Sequence, residues 1–359
     1  MTINYPSGAI PFKFSNATLH FETRAHYFET VFAFSHPQQT WFCASTQTSS
    51  LSARKAIEKA KNAIKISQKR EKKLKDINFN PVRVQPTAGL EYVRAVKRAL
   101  SYIQSGDIYQ VNVAHSFESV WNGRAADLYL RMRKESPAFY GAFIGSRLTA
   151  SGGAICSISP ELFLHTRSGI VVTRPIKGTR PRGATVSEHD CVRRELIGSA
   201  KERAELNMIV DLERNDLGRV CIHGSVKVDS SGEVEELPTL LHRTATVSGR
   251  LRPRTMVGEL LAATFPGGSI TGAPKLRAME IIAELESTPR GPYCGAIGWV
   301  GARGDLELNI AIRTAICDEA KGTARYFAGS GIVADSEPEK EYEETLLKAA
   351  AFFSAVNSR

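Results

Sequence analysis

One short stretch constrains this chain more than any other. Leu162 to Thr166 and Ile170 to Arg174 read as two strands, and Arg167-Ser168-Gly169 between them reads as a tight turn. A lysine framed by a proline and a Gly-Thr pair follows at once, in Arg174-Pro175-Ile176-Lys177-Gly178-Thr179-Arg180-Pro181-Arg182-Gly183. Glu161 opens the first strand and Lys177 follows the second, so the open end of the hairpin brings a carboxyl group and an amine together. Such a pair can serve as a general acid with a base or nucleophile. It can also be an ordinary surface ion pair, worth little, and the rest of the chain has to decide.

With 359 residues and 42% hydrophobic content, there is material for one large domain or two ordinary ones. No segment approaches the ~18 apolar residues of a membrane span, and Met1 to Phe14 lacks the pattern of a signal peptide. Cys43, Cys156, Cys191, Cys221, Cys294 and Cys317 are scattered without a C-x-x-C pair. That spacing indicates neither a zinc site nor a disulfide framework, and it makes a cytoplasmic setting the expectation. The net charge is +10. Much of it falls between Ala53 and Asp76, where ten Lys and Arg meet three Asp and Glu. Apolar residues at Ala56, Ala60, Ile64 and Ile66 make this an amphipathic helix with a solvated basic face. A nucleic-acid patch is the rival reading, but no interleaved aromatics support base stacking. The remaining positive surplus suits a small anionic substrate.

Short strands are expected at Thr18 to Thr23, Tyr27 to Phe34 and Thr40 to Ala44, then the basic helix, then an irregular bridge from Asn78 to Pro86. Helices are expected near Leu90 to Ser105, Ala125 to Lys134, Ser187 to Asn215, Pro274 to Ser287 and Pro338 to Ala355. Strands are expected near Tyr109 to Glu118, Ala138 to Ile144, Glu161 to Arg174, Tyr293 to Val300, Leu306 to Cys317 and Thr323 to Gly329. Runs of strands between helices, without strict alternation, predict an α+β fold of large sheets covered by helices.

Two of the helices carry acids three residues apart. Ser199-Ala200-Lys201-Glu202 reads as a capping box, with Glu205 beyond it and Ala200, Ala204, Met208 and Leu212 as the apolar stripe. Ser336-Glu337-Pro338-Glu339 caps the last helix, which carries Glu341 and Glu344. Two such pairs can hold a hard divalent cation through oxygen. They can equally serve as caps and as the i, i+4 partner of Lys348. The run Phe265 to Lys275, with Gly267, Gly268 and Gly272, leads into a helix and can expose backbone N–H groups to an anion. It is not a P-loop, because Ala273-Pro274 replaces Lys-Ser/Thr after Gly272. Arg313 lies in an otherwise apolar strand, where it needs a carboxylate from the protein or from a substrate. His242 reads as an acid, a base or a structural imidazole.

Taken together these segments resemble the chorismate-utilising enzymes: anthranilate synthase component I, aminodeoxychorismate synthase component I, isochorismate synthase and salicylate synthase. The resemblance runs from Thr87 to Ala355. It rests on Ser159-Pro160-Glu161-Leu162, Pro175-Ile176-Lys177-Gly178-Thr179, Ile209 to Asp216, Pro266 to Lys275, Ile310-Ala311-Ile312-Arg313 and Gly329 to Thr345. It implies a layered α/β sandwich of large, mostly antiparallel sheets covered by helices, of the anthranilate synthase component I type. A catalytic domain over residues 86–359 and a reduced amino-terminal region over 1–85, packing on it, follow from the same likeness.

The roles implied are specific. Glu205 and Glu344 match magnesium ligands, with Glu202 and Glu341 as further acids behind them. Glu161 matches the general acid that protonates the departing C4 hydroxyl. Gly178, Thr179, Tyr293, Arg313, Gly329, Gly331 and Lys348 match positions that grip chorismate's carboxylates. Thr271 lies in the matching glycine-rich loop, and His242 matches a histidine near the ring. Members that add water carry a lysine where this chain has Gln110, which turns the resemblance toward the amino-transferring branches. Lys177, where anthranilate synthases usually carry alanine, implies a nucleophile that attacks C2 and directs ammonia to C4. The expected activity is therefore a magnesium-dependent conversion of chorismate to 4-amino-4-deoxychorismate, on the way to para-aminobenzoate and folate. Conversion to anthranilate and pyruvate is the alternative, and a non-enzymatic anion or nucleic-acid binding protein the second. None of the six cysteines sits in a glutaminase nucleophile elbow, so ammonia is expected from a glutamine amidotransferase subunit. No nucleic acid or membrane partner is expected. The tryptophan-binding motif of feedback-inhibited members is not found, nor a lyase domain after Arg359.

Overall fold

The computed structural model describes residues 1–5, 23–28, 30–45, 54–55, 57–59, 61–62, 65–66, 86–120, 123–149, 153–237 and 240–357. It divides into a larger unit, Met1–Arg24 with Asn80–Ser358, and a smaller one, Ala25–Phe79 with Arg359.

In the smaller unit Thr30–Ser35 and Thr40–Ser45 pair as an antiparallel hairpin, with Phe34 against Trp41. The described positions between Arg54 and Ile66 are helical and exposed, Ile66 included. Ala56, Ala60 and Ile64 of the expected apolar stripe lie outside the described residues, as do the expected strand from Thr18, apart from Thr23, and nearly all of the bridge from Asn78 to Pro86.

In the larger unit the described residues form two antiparallel sheets. One runs in the order Ile176–Pro181, Leu240–Arg250, Ile170–Arg174, Leu162–Arg167, Leu306–Ile310, Ala296–Val300, Thr2–Ile3, Thr23–Arg24, with Lys227–Glu236 also on Leu240–Arg250. The other runs Gly272–Ala273, Gln110–Val120, Thr323–Ile332, Thr314–Asp318, Ala154–Ser159, Tyr140–Ile144. The helix Pro338–Asn357 lies on Thr323–Ile332, and Pro86–Gln104 and Ala125–Glu135 flank it. The helix Ala200–Gly218 covers Leu240–Arg250 of the first sheet.

The expected hairpin forms. Ser168 and Gly169 both take positive φ, 52° and 78°, the backbone of a two-residue turn that matches strand twist. Arg167 then pairs with Ile170 and Leu162 with Arg174, leaving Glu161 and Pro175 at the open end. Beyond Pro175 the chain keeps to the same neighbour: Ile170–Arg174 and Ile176–Pro181 pair with successive halves of Leu240–Arg250.

The expected strand from Leu306 to Cys317 is in fact two strands in different sheets, Leu306–Ile310 and Thr314–Asp318. The break falls at Ala311-Ile312-Arg313, where Arg313 has φ 50°. Beside it, Pro160-Glu161 carries the chain from Ala154–Ser159 into Leu162–Arg167, so the chain crosses between the sheets twice in adjacent places. Ile310 N–H donates to Glu161 O at 3.1 Å, Ile158 N–H to Arg313 O at 3.1 Å, and Ser159 Oγ to Ile310 O at 2.6 Å. Glu161 and Arg313 are thus held at the seam between the sheets.

A break at Ser199 separates the helices Val186–Gly198 and Ala200–Gly218. The buried Arg243 guanidinium donates to the carbonyls of Leu196, Ile197 and Ser199, and so closes the end of the first helix. Ser199 Oγ accepts from Glu202 N–H at 3.3 Å and opens the second. The Glu202 carboxylate does not complete the expected box; it takes Arg180 Nη1 at 2.7 Å instead. The expected apolar stripe is also displaced. The buried residues are Leu206, Ile209, Val210, Glu213, Asp216 and Leu217, while Ala200 and Ala204 are exposed. Glu213 and Asp216 can lie inside because each has a partner there, Gly268 N–H and Lys275.

Candidate active site

Lys177 lies on an irregular stretch of strand. The register against Leu240–Arg250 shifts between Ile176 and Thr179, and Gly178 takes φ 90°. An extra residue in one strand re-aims the side chains around it. Here the Lys177 amine reaches the Ser269 carbonyl, 3.4 Å away. It also abuts Gly331 of the second sheet: a Cβ there would lie 3.3 Å from Lys177 Nζ and 2.7 Å from Gln110 Nε2. Gly178 is likewise required, since a Cβ would meet Glu202 Oε2 at 2.7 Å. Burial holds the Lys177 amine below its ordinary pKa and Lys348 adds to that, against Glu205, Glu161 and Glu344.

Glu161 is only 3% exposed, and its Oε1 has no hydrogen-bond partner. Burial pushes its carboxyl up to about 7, with Ser269, Lys177 and Lys348 acting in the other direction. A half-protonated acid and a weakened amine therefore act on each other at the seam. An acid shifted up and an amine shifted down are what acid and nucleophilic chemistry at neutral pH require.

Two of the helix acids, Glu205 and Glu344, act on the same amine. Burial pushes Glu205 up, against the pull of Lys177 and Lys201. Burial acts on Glu344 too, but Lys348, Lys177 and Lys201 outweigh it and hold the carboxyl below its usual range. Lys348 Nζ bonds Glu344 Oε1 at 2.6 Å and Gly329 O at 2.9 Å. Glu202 turns to Arg180, leaving its Oε2 buried without a partner. Glu341 is buried 3.8 Å from Lys201. Among the described residues, no three His, Cys, Asp or Glu side chains gather closely enough to enclose a metal ion.

Arg313 is partly buried and donates to Ser136 Oγ at 3.3 Å, but it forms no ion pair among the described residues. His242 accepts from or donates to Thr179 Oγ1 through Nδ1 at 2.8 Å, and its buried Nε2 has no partner. Burial, with Arg313 beside it, lowers His242 to about 4, so the ring is neutral at pH 7. Tyr293 is 3% exposed and stacks on Phe327 with centroids 5.2 Å apart. Gly329 needs to be glycine because a Cβ would meet Val113 O at 2.5 Å.

The glycine-rich loop differs from the expectation of free N–H groups. Gly268 N–H donates to Glu213 Oε1 at 3.1 Å, Thr271 Oγ1 donates to Gly267 O at 2.9 Å, and Lys275 is paired with Asp216. The loop serves instead as a wall. Gly272–Ala273 pairs with Gln110 and Val111, bringing Ser269 beside Lys177. Sequence reasoning passed over Ser269, whose hydroxyl is buried without a partner. It also treated Gln110 only as a missing lysine, yet both amide atoms of Gln110 are buried without partners. Orphaned polar atoms of this density mark a place built for a polar ligand, and no periodicity reports them.

Two sheets thus join at a buried acid and an amine, with helix carboxylates acting on that amine and an arginine that forms no ion pair among the described residues. A family model described as chorismate binding enzyme matches residues 8–354, and the chain belongs to that family. It is 45% identical over 268 residues to aminodeoxychorismate synthase component 1 of Klebsiella aerogenes, covering 75% of this chain and 58% of that protein. It is 42% identical over 287 residues to anthranilate synthase component 1 3 of Haloarcula marismortui, covering 77% and 56%. The crystal structure of anthranilate synthase component I from Streptococcus pneumoniae TIGR4 superposes with TM-score 0.79 at 33% identity, over 96% of this chain and 76% of that one. The fold is therefore the α+β layered sandwich of that type. The chain spans little more than half the length of the curated relatives it matches. No described helix is long and apolar enough to cross a membrane.

Proposed function

We propose that the chain aminates chorismate at C4, giving 4-amino-4-deoxychorismate and water. The observation that carries this over other chorismate chemistry is Lys177, a desolvated amine beside a buried glutamic acid. Glu161 gives its proton to the C4 hydroxyl, which leaves as water. The lone pair of Lys177 Nζ adds at C2 and the ring double bonds shift. Ammonia then enters at C4, the double bonds return, Lys177 leaves C2, and the proton shed by the new amine restores Glu161. Arg313 forms no ion pair among the described residues and takes a substrate carboxylate as a forked donor. The neutral His242 and Gln110 line the ring.

Magnesium fits the residues present, through Glu205 and Glu344 with Glu202 and Glu341 behind them. Glu205 and Glu344 both act on the Lys177 amine, and magnesium takes one or two carboxylates and completes its shell from water and an anionic ligand. When bound it would supply charge to hold a substrate carboxylate. Ammonia comes from a glutamine amidotransferase subunit. Relatives called component 1 of their synthases support a partner component. A cytoplasmic setting belongs to the same reading.

Anthranilate formation is the second reading, supported by the similar identity to anthranilate synthases. Product analysis separates the two. Purified chain with chorismate, magnesium and ammonium should yield 4-amino-4-deoxychorismate and no pyruvate, and should ignore glutamine until an amidotransferase subunit is added. Anthranilate with pyruvate would overturn the proposal in favour of the second reading.

A further inference from the structure

The turn Gly268–Ile270 is gripped from both sides by buried charged residues that the chemistry above does not use. On one side Glu213, 2% exposed, accepts Gly268 N–H at 3.1 Å. Its approach depends on glycine at 268, where a Cβ would meet Leu212 Cδ2 at 2.6 Å and Glu213 Oε1 at 3.3 Å. On the other side Arg290, also 2% exposed, donates to Ile270 O at 2.8 Å. The same guanidinium bonds Asn112 O at 2.7 Å and Glu286 at 2.6 and 2.8 Å. Between the two anchors stands Ser269. Its carbonyl is the acceptor for Lys177 Nζ. Its hydroxyl, buried and unpartnered, is near enough to Glu161 to act on that carboxyl.

We infer that Ser269 is a positioning residue for both Lys177 and Glu161, and that Glu213 and Arg290 form a clamp that presents it. This rests on the chorismate reading above, because it assigns Lys177 as the nucleophile and Glu161 as the acid. The carbonyl takes one N–H of the amine and so fixes where the remaining lone pair points. The hydroxyl can donate to one carboxyl oxygen of Glu161 while the proton stays on the other. Other charged or titratable groups facing Glu161 are Lys177 from the strand Ile176–Pro181, Lys348 from the last helix, Glu213 from the helix Ala200–Gly218 and Cys294. None of these can replace a neutral hydroxyl donor at the loop.

The test uses the full chain and two readouts. One is steady-state turnover of chorismate with ammonium; the other is the rate at which Lys177 is acetylated by an acyl ester without substrate, read by peptide mass. Ser269→Ala should lower kcat by about tenfold, leave KM for chorismate within about twofold, and move the basic limb of the pH profile upward, because a donor favouring the carboxylate is lost. Glu213→Met removes the acceptor of Gly268 N–H. It should speed Lys177 labelling by about threefold, because a displaced carbonyl no longer favours the ammonium form, and lower kcat by a similar factor. Glu213→Gln keeps an acceptor oxygen and should restore both values to within about twofold of the parent. Unchanged kcat and pH limb in Ser269→Ala would overturn the role of Ser269. Unchanged labelling in a folded Glu213→Met, or Glu213→Gln behaving like Met, would overturn the clamp. If the parent chain turns over no chorismate, labelling still judges the clamp, and the failure belongs to the functional reading alone.

Discussion

Two arginines, 290 and 313, live in opposite circumstances. Arg290 is saturated: Glu286, Ile270 O and Asn112 O take its donors, and the Tyr5 ring lies 4.5 Å from its guanidinium carbon. Arg313, at the seam, has Ser136 Oγ and no ion pair among the described residues. The contrast extends to their surroundings. Lys275 is paired with Asp216, and Arg243 closes a helix end through Nη1 although its Nε has no partner. Around Arg313 and Lys177, Glu161 Oε1, Glu202 Oε2, His242 Nε2 and both amide atoms of Gln110 are not. Buried polar groups left without partners cost ~1–3 kcal/mol each. A chain keeps such a cluster only where a ligand completes it. Orphaned atoms also occur in the frame, at Tyr5 Oη, Arg243 Nε and Glu213 Oε2, but it is their gathering around Lys177 that marks the site.

The largest effect expected from breaking this division is at Lys177. Lys177→Ala should lower 4-amino-4-deoxychorismate formation by ~10³-fold or more, measured by chromatography. Lys177→Arg should not rescue it, because an amine, not a charge, is needed. Near-normal turnover by Lys177→Arg, together with no chorismate adduct in the intact mass of the parent, would leave the nucleophile role without support.

The arginines themselves come next. Arg290→Met leaves Glu286 buried and unpaired, and should cost ~3–5 kcal/mol of unfolding free energy in denaturant titrations. Arg313→Met removes a charge that forms no ion pair among the described residues. It should leave stability unchanged or higher, and raise KM for chorismate by ~10²-fold through loss of a forked, charge-assisted contact. Equal destabilisation by the two substitutions would erase the distinction between frame and site.

A smaller effect is expected at the helix acids. Excess chelator should abolish turnover. Glu344→Gln should weaken the magnesium dependence by ~10-fold or more while the fold melts as before. Full activity in excess chelator would remove the metal from the account.

How much of this division can be read in the sequence follows from its physics. The hairpin is legible because Ser168-Gly169 permits the turn and the flanking strands are apolar. Helix starts and lengths are legible from caps and spacing, as at Ser199. The strand Lys227–Glu236 is not, because it is polar and largely exposed; nor is Leu240–Arg250, whose buried face carries His242 and Thr244 where alternation calls for apolar residues. The split at Ala311-Ile312-Arg313 is hidden for a related reason. It needs a non-glycine residue at positive φ, which composition disfavours and tertiary contacts impose. Glu161 and Arg313, both named through the family likeness, lie at the seam. Ser269, Gln110 and Glu213 act through what they face across the two sheets, and no local pattern encodes that.

The smallest effect is also the one that reads the frame–site boundary without any substrate. Burial pushes the carboxyls of Glu161 and Glu213 up to about 7 from an ordinary value of 4.5. Each folded-state value exceeds that of the unfolded chain, so the folded state binds the proton more tightly. The stabilisation from those protons is full below about pH 4.5 and is lost as pH rises through about 7. Glu161 Oε1 is buried without a partner. Glu161→Gln should therefore unfold like the parent near pH 4.5 and gain on the order of 1–3 kcal/mol over it at pH 8. Glu213 holds Gly268 N–H, so Glu213→Gln trades part of the same gain against a weaker acceptor and should gain less. Denaturant titrations at the two pH values measure both. A Glu161→Gln chain that is less stable than the parent at pH 8 would place Glu161 in the frame, and the boundary would have to be redrawn around it.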